Sequence, residues 1–162
     1  MFDEVYHQTP IIKNELGNRE KLSSAASGAR RVLLERMVLN AHEPALGISG
    51  SPPELSLYRS VLEVTGLHGQ TADGYGLQEP NAQTEVGHLF AAIDHYLEMN
   101  SGKRVVMTDV LALMARPPFG VRSGIALILG FSYLQIRSSR LFVYEDGTFV
   151  PELGDDFVQR FV

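Results

Sequence analysis

Leu141-Phe142-Val143-Tyr144-Glu145-Asp146-Gly147-Thr148-Phe149-Val150 carries the clearest structural signal in this chain. Two β-prone runs, rich in aromatic and β-branched residues, flank Asp146-Gly147. Asp-Gly tolerates the positive φ that both central residues of a tight hairpin turn require. The stretch therefore reads as a β-hairpin of two short strands.

Three helical patterns precede it. Val86, Leu89, Phe90, Ile93 and Leu97 line one face of a helix that begins at Glu85 and stops at Asn100-Ser101-Gly102. Thr108 reads as the N-cap of a short helix, Asp109 to Ala115, closed by Arg116-Pro117-Pro118. A third helix starts near Phe119–Arg122 and runs to about Ile136, and a last short one follows the hairpin over Asp155 to Phe161. Helix, short helix, turn, helix, hairpin is the order of a winged helix, with the hairpin as the wing. Residues 84–162 are expected to form this unit.

Residues 1–80 read as a helical N-terminal lobe. A short helix near Phe2–His7 and an extended segment through Ile11–Ile12 lead to a long helix, Lys21 to Asn40. Leu22, Ala25, Ala26, Ala29, Leu33, Met37 and Leu34 supply its core stripe at three- and four-residue spacing. A loop from Ala41 to Pro52 precedes a second helix whose first turn holds proline, where a missing N–H costs nothing. That helix buries Leu55, Tyr58, Val61 and Leu62 and stops at Gly66. His68 to Thr84 reads as a polar loop between the lobes. The expected fold class is mainly helical α+β, a helical lobe packed on a winged-helix-like unit of three helices plus a hairpin, together one compact domain.

Composition narrows the function classes. Hydrophobic residues at 44% against 20% charged argue for a folded chain over a disordered one. No cysteine is present, so disulfides and thiolate metal sites are excluded. The most apolar stretch, Val121 to Ile136, is interrupted by Arg122, Ser123, Gly124, Gly130, Ser132 and Gln135 and reads as no membrane span. Met1-Phe2-Asp3-Glu4 opens with acids rather than a basic region before an apolar core, so it reads as no secretory signal. Cytoplasmic is the expected location.

Chemistry-bearing motifs are weak. Leu46-Gly47-Ile48-Ser49-Gly50-Ser51 and Ser101-Gly102-Lys103-Arg104 lack the glycine spacing and the Lys-Ser/Thr of a phosphate loop. His88 and His95 share a helix but stand about 10 Å apart along its axis, too far to ligate one ion. Gly120-Val121-Arg122-Ser123-Gly124 lacks the glycine spacing and flanking strand of a nucleophile elbow. No catalytic residue, metal site or cofactor is expected. An enzyme without a recognisable motif stands as a third alternative.

Charge is unevenly spread. Residues 101–143 carry a net +5 between flanks of −6 and −4. Lys103, Arg104, Arg116, Arg122, Arg137 and Arg140 make this basic island, the candidate set for a nucleic-acid-binding winged helix. Against that reading, the third helix is apolar nearly all round, leaving little to read bases, and Glu145 and Asp146 at the wing tip would face phosphate unfavourably. The island serves equally as one half of an internal electrostatic fit.

Several phrases carry a resemblance. Ile12-Lys13-Asn14-Glu15-Leu16, Asn18-Arg19, Leu22-Ser23-Ser24-Ala25-Ala26, Ala29-Arg30-Arg31, Leu46-Gly47-Ile48, Pro52-Pro53-Glu54 and Tyr58-Arg59 are among them, with Arg116-Pro117-Pro118-Phe119-Gly120 and Tyr144 through Leu153. Together they resemble a segment of large, multidomain bacterial P-loop NTPase proteins associated with phage defence or restriction. The phosphate- and Mg²⁺-binding motifs of such proteins are absent from these 162 residues, so the resemblance implies an auxiliary region that follows an NTPase core. It places Asn14, Glu15, Asn18, Arg19 and Arg30 as candidates to face that core, beside the plainer reading of caps and salt bridges. Phe131, on an over-apolar third helix, is a candidate partner contact. The expected function is a non-catalytic interaction or regulatory module with a protein partner or parent chain. DNA is the second choice, no membrane is involved, and self-association is possible.

Overall fold

The computed structural model describes residues 7–14 and 23–162. The helix expected near Phe2–His7 falls, apart from His7, outside them, as does Leu22. The described residues are mainly helical with two small antiparallel hairpins, a mainly helical α+β fold. Among them no helix is long and apolar enough to cross a membrane.

Helix α1 spans Ser24–Leu39, and Ser23 caps it by accepting the Ala26 N–H at 3.2 Å. Ala26, Ala29, Leu33, Leu34 and Met37 are buried, whereas Ala25, expected in the stripe, faces outward. Before it, Ile12 is buried and Ile11 exposed. Helix α2, Pro53–Leu57, carries Pro53 at its first position and widens into a π-helical stretch, Tyr58–Glu63. Leu55, Tyr58, Val61 and Leu62 are all buried, and the chain leaves the helix at Gly66 with φ 74°.

The polar loop expected over residues 68–84 is instead largely a hairpin. Strand β1, His68–Thr71, pairs with β2, Gly74–Leu77, in the register His68↔Leu77 to Thr71↔Gly74. Its turn is Ala72-Asp73, followed by Gly74 at φ 121°. His-Gly-Gln-Thr and Gly-Tyr-Gly-Leu lack the β-branched density that marks a strand. Tertiary contacts with the π-helical turn and the loop before α2 hold the hairpin instead.

His68 is the anchor of that contact. It is 1% exposed, its Nδ1 lies 2.9 Å from the Tyr58 hydroxyl, and its Nε2 lies 2.8 Å from the Ala41 carbonyl. A carbonyl can only accept, so Nε2 carries the proton and Nδ1 accepts from Tyr58. Burial lowers the His68 pKa from its ordinary value, against a smaller opposing pull from Ala41. The unfolded chain therefore takes up a proton that the folded chain resists. Stability from this site is fully present above about pH 6.5, is lost as pH falls below it, and levels off beneath the folded pKa. Denaturant titrations at about pH 7.5 and pH 5.5 should show a larger acid-side loss for the native chain than for His68→Gln. Equal losses would refute the neutral, buried histidine.

Helix α3 spans Glu85–Met99 behind the Thr84 cap, whose hydroxyl accepts the Gly87 N–H at 3.1 Å. Val86, Leu89, Phe90 and Ile93 are buried, and Leu97 packs at the margin. Helix α4, Met107–Ala115, begins earlier than the sequence suggests: Val106 is its N-cap residue and Thr108 lies exposed in the first turn, capping nothing. Helix α5, Ser123–Ile136, follows. Strands β3, Val143–Glu145, and β4, Thr148–Val150, form the second hairpin, and α6, Asp155–Phe161, packs against α1.

At the turn, Asp146 has φ 46° and Gly147 φ 81°, the positive pair read from the sequence. Gly147→Val is therefore expected to destabilise the domain by about 1 kcal/mol or more in denaturant titrations, because a β-branched side chain strains at positive φ. No loss of stability would contradict the turn.

One hydrophobic core joins both halves of the chain. Leu33, Leu34 and Met37 of α1 share it with Ile128, Leu129 and Phe131 of α5 and with Phe157 and Val158 of α6. α5 is buried on nearly every side, with α1, α4, β2 and the π-helical turn around it. The N-terminal elements do the covering that its apolar circumference demanded.

Candidate interaction surface

Because strand residues alternate, each hairpin has an inner and an outer face. In β3–β4 the cross-strand pair Val143↔Val150 turns inward and packs against the core. The neighbouring pair Tyr144↔Phe149 turns outward, and Phe142 joins it one step before β3. These rings are 47%, 46% and 79% exposed. Phe142 and Phe149 lie 6.0 Å apart between ring centroids, Tyr144 and Phe149 5.8 Å. The register turns the valines inward and leaves the aromatic rings on the surface. Both faces of this hairpin are apolar, so alternation alone does not say which one turns inward.

The hairpin is fixed from two sides. Arg160 of α6 places Nε 2.7 Å from both carboxylate oxygens of Glu145. Arg104, on the α3–α4 connection, lays its guanidinium 4.7 Å from the centroid of the Tyr144 ring. Beyond the hairpin, Glu145, Glu152, Asp155, Asp156 and Arg160 line an open cleft of about 480 Å³.

The six residues of the basic island do not form one patch. Lys103 and Arg104 are exposed beside the hairpin, and Arg140, two residues before Phe142, is exposed as well. Arg116 and Arg122 are exposed at the α4–α5 turn. Arg122 and Arg137 sit at opposite ends of α5, roughly 20 Å apart at 1.5 Å per residue.

Arg137 is taken up internally. It is 9% exposed and pairs with Asp94 through Nε–Oδ1 at 3.1 Å and Nη2–Oδ2 at 2.9 Å, and with Glu79. The Tyr133 hydroxyl donates to the same Asp94 carboxylate at 2.6 Å. Burial alone would push Asp94 upward, but the hydrogen bonds from Arg137 and Tyr133 outweigh it and hold the carboxyl below its usual range. The bond to Asp94 raises Arg137, and burial followed by the Asp94 bond raises Tyr133. A guanidinium so engaged is not offered to phosphate.

The N-terminal candidates divide similarly. Asn14 is 6% exposed, and its Nδ2 donates to Ser56 Oγ at 3.2 Å and Ser60 Oγ at 2.8 Å, which ties the leading segment to α2. Arg30 is half-buried, burial lowers its pKa, and its Nε has no hydrogen-bond partner among the described residues. Glu15, Asn18 and Arg19 lie outside the described residues. Phe131, a candidate contact by sequence, has 0% exposure and packs on Phe157 and Phe161. It is core, so it offers no surface.

No known protein family, curated protein or solved structure matches this chain.

Proposed function

We propose that this chain is a non-catalytic interaction module of a larger assembly, and that it engages its partner through the outer face of the β3–β4 hairpin. The observation that carries this reading is the cluster of Phe142, Tyr144 and Phe149, three neighbouring aromatic rings left open on a structured hairpin. Contiguous exposed apolar patches on folded chains commonly mark contact sites, and aromatic residues dominate such contacts. The hairpin follows three helices in the order of a winged helix, which supports reading it as a wing. A phage-defence NTPase as the larger assembly is proposed from the sequence resemblance alone. Duplex reading by the third helix is not favoured, because α5 presents almost no exposed side chain between Ile125 and Tyr133.

A surface kept for contact contributes little to folding. Phe142→Ser is expected to change unfolding free energy by no more than about 0.5 kcal/mol in a denaturant titration. A loss above about 2 kcal/mol would show that the ring supports the fold and would remove the reason for a docking face.

A further inference from the structure

We infer that the buried His68–Tyr58 pair is a latch on a strained turn, Pro44–Gly47, and that protonation of His68 releases this turn from the β1–β2 hairpin while the rest of the core stays folded. The strain lies in the backbone. Ala45, Leu46 and Gly47 take left-handed conformations in succession, at φ 48°, 55° and 65°. Only glycine enters that region freely, and a residue with a side chain stays there where surrounding contacts hold it. Burial holds Leu46, which is 0% exposed.

The remaining hold comes from the pair. His68 grips Ala41 ahead of the turn through Nε2, and Tyr58, bonded to Nδ1, takes a hydrogen bond from the Ala45 backbone within it. One imidazole–phenol unit thus ties the loop at two points. Each link fixes the next, because the Ala41 carbonyl requires a proton on Nε2 and leaves Nδ1 to accept from the hydroxyl. A second ring proton sets N–H against O–H across the Tyr58 contact and breaks the chain at that link. Burial, Glu63 and Tyr75 all keep the Tyr58 phenol protonated, so it does not ionise to receive the charge. The Tyr75 ring of β2 lies 6.1 Å from the imidazole, and on the loop His42 faces Glu43 at 3.8 Å. Both ring nitrogens are engaged by neutral groups, so no carboxylate is hydrogen-bonded to an imidazolium formed there. The hairpin has little else to hold it: among the residues of β1 and β2, only His68 is fully buried. Opening is therefore local.

The amides of Leu46 and Ile48, bonded to the Glu43 carbonyl at 3.1 Å and the Ala45 carbonyl at 3.0 Å, read the turn directly by hydrogen exchange on the intact chain. Corrected for intrinsic exchange, their opening should rise by up to about tenfold between about pH 7.5 and about pH 5.5, as a histidine freed to its ordinary pKa dictates. Low denaturant should barely change it, whereas exchange in α5 responds steeply, because local opening exposes little surface. His68→Gln should abolish the rise. Ala45→Gly removes one strained residue and should lower opening roughly threefold at both pH values. No rise in the intact chain, a rise that persists in His68→Gln, or turn amides with the denaturant slope of α5 would overturn the latch. Faster opening in Ala45→Gly would overturn it as well, since the turn would then store no strain.

Discussion

Phe131→Asp is expected to leave no folded protein at room temperature. The side chain is wholly buried, with the Phe157 ring 6.3 Å away and nearly parallel and the Phe161 ring at 5.4 Å. Substitution removes those contacts and places a carboxylate inside the hydrophobic core. Cavity formation and charge burial together exceed about 5 kcal/mol, which is as large as the whole stability of many domains. Circular dichroism should show lost helix, and sedimentation a loss of the compact monomer. Phe131→Leu, closer in volume, should stay folded at a cost of roughly 1–2 kcal/mol. A folded Phe131→Asp variant that dimerises or binds differently would instead restore α5 as an interface.

Asp94→Ala is expected to be the most damaging polar substitution, at about 3 kcal/mol or more. It strips Arg137 of two hydrogen bonds and Tyr133 of its acceptor, leaving a nearly buried guanidinium with exposed Glu79 as its remaining carboxylate. Arg137→Ala should cost less, because Asp94 is a quarter exposed and regains water. The folded Asp94 pKa lies below its unfolded value near 3.9. The contribution is therefore complete above that pH and is lost as pH falls through the folded pKa. Denaturant titrations of both single variants and the double variant measure the coupling. A simple sum of the single losses would contradict a shared network.

Local signals made much of the fold legible. Asp146-Gly147 marked its turn, Gly66 ended its helix, and the stripes of α1 and α3 named their buried residues almost completely. Those readings depend on backbone geometry and residue spacing, which a sequence displays directly. The β1–β2 hairpin was missed because glycines and a histidine hold it through tertiary contacts, chiefly His68 with Tyr58 and Ala41. Thr108 had the chemistry of a cap but not the position.

The candidate surface was less legible, because it depends on which face of an element turns inward. Charge pattern grouped Arg104 with Arg137, yet one is open beside the hairpin and the other closed on Asp94 from a helix packed alongside. Apolar excess on α5 suggested either a core or a docking face, and the same residues satisfy both patterns. Long-range packing of α1 decided it. Once α5 was covered, Phe142, Tyr144 and Phe149 remained as the aromatic cluster still open, a result that period-two alternation between two apolar faces does not encode.

Hydrogen exchange on the intact chain tests the central claim most directly, since that claim is that α5 is core and the β3–β4 hairpin is surface. Amides of α5 from Ile125 to Tyr133 are expected to exchange only through global unfolding, with the free energy that denaturant titration gives. Amides of β3 and β4 should exchange faster, through local opening that leaves α5 protected. If α5 exchanges as fast as the hairpin or faster, the helix is not the shared core, and the assignment of contact to the hairpin fails with it.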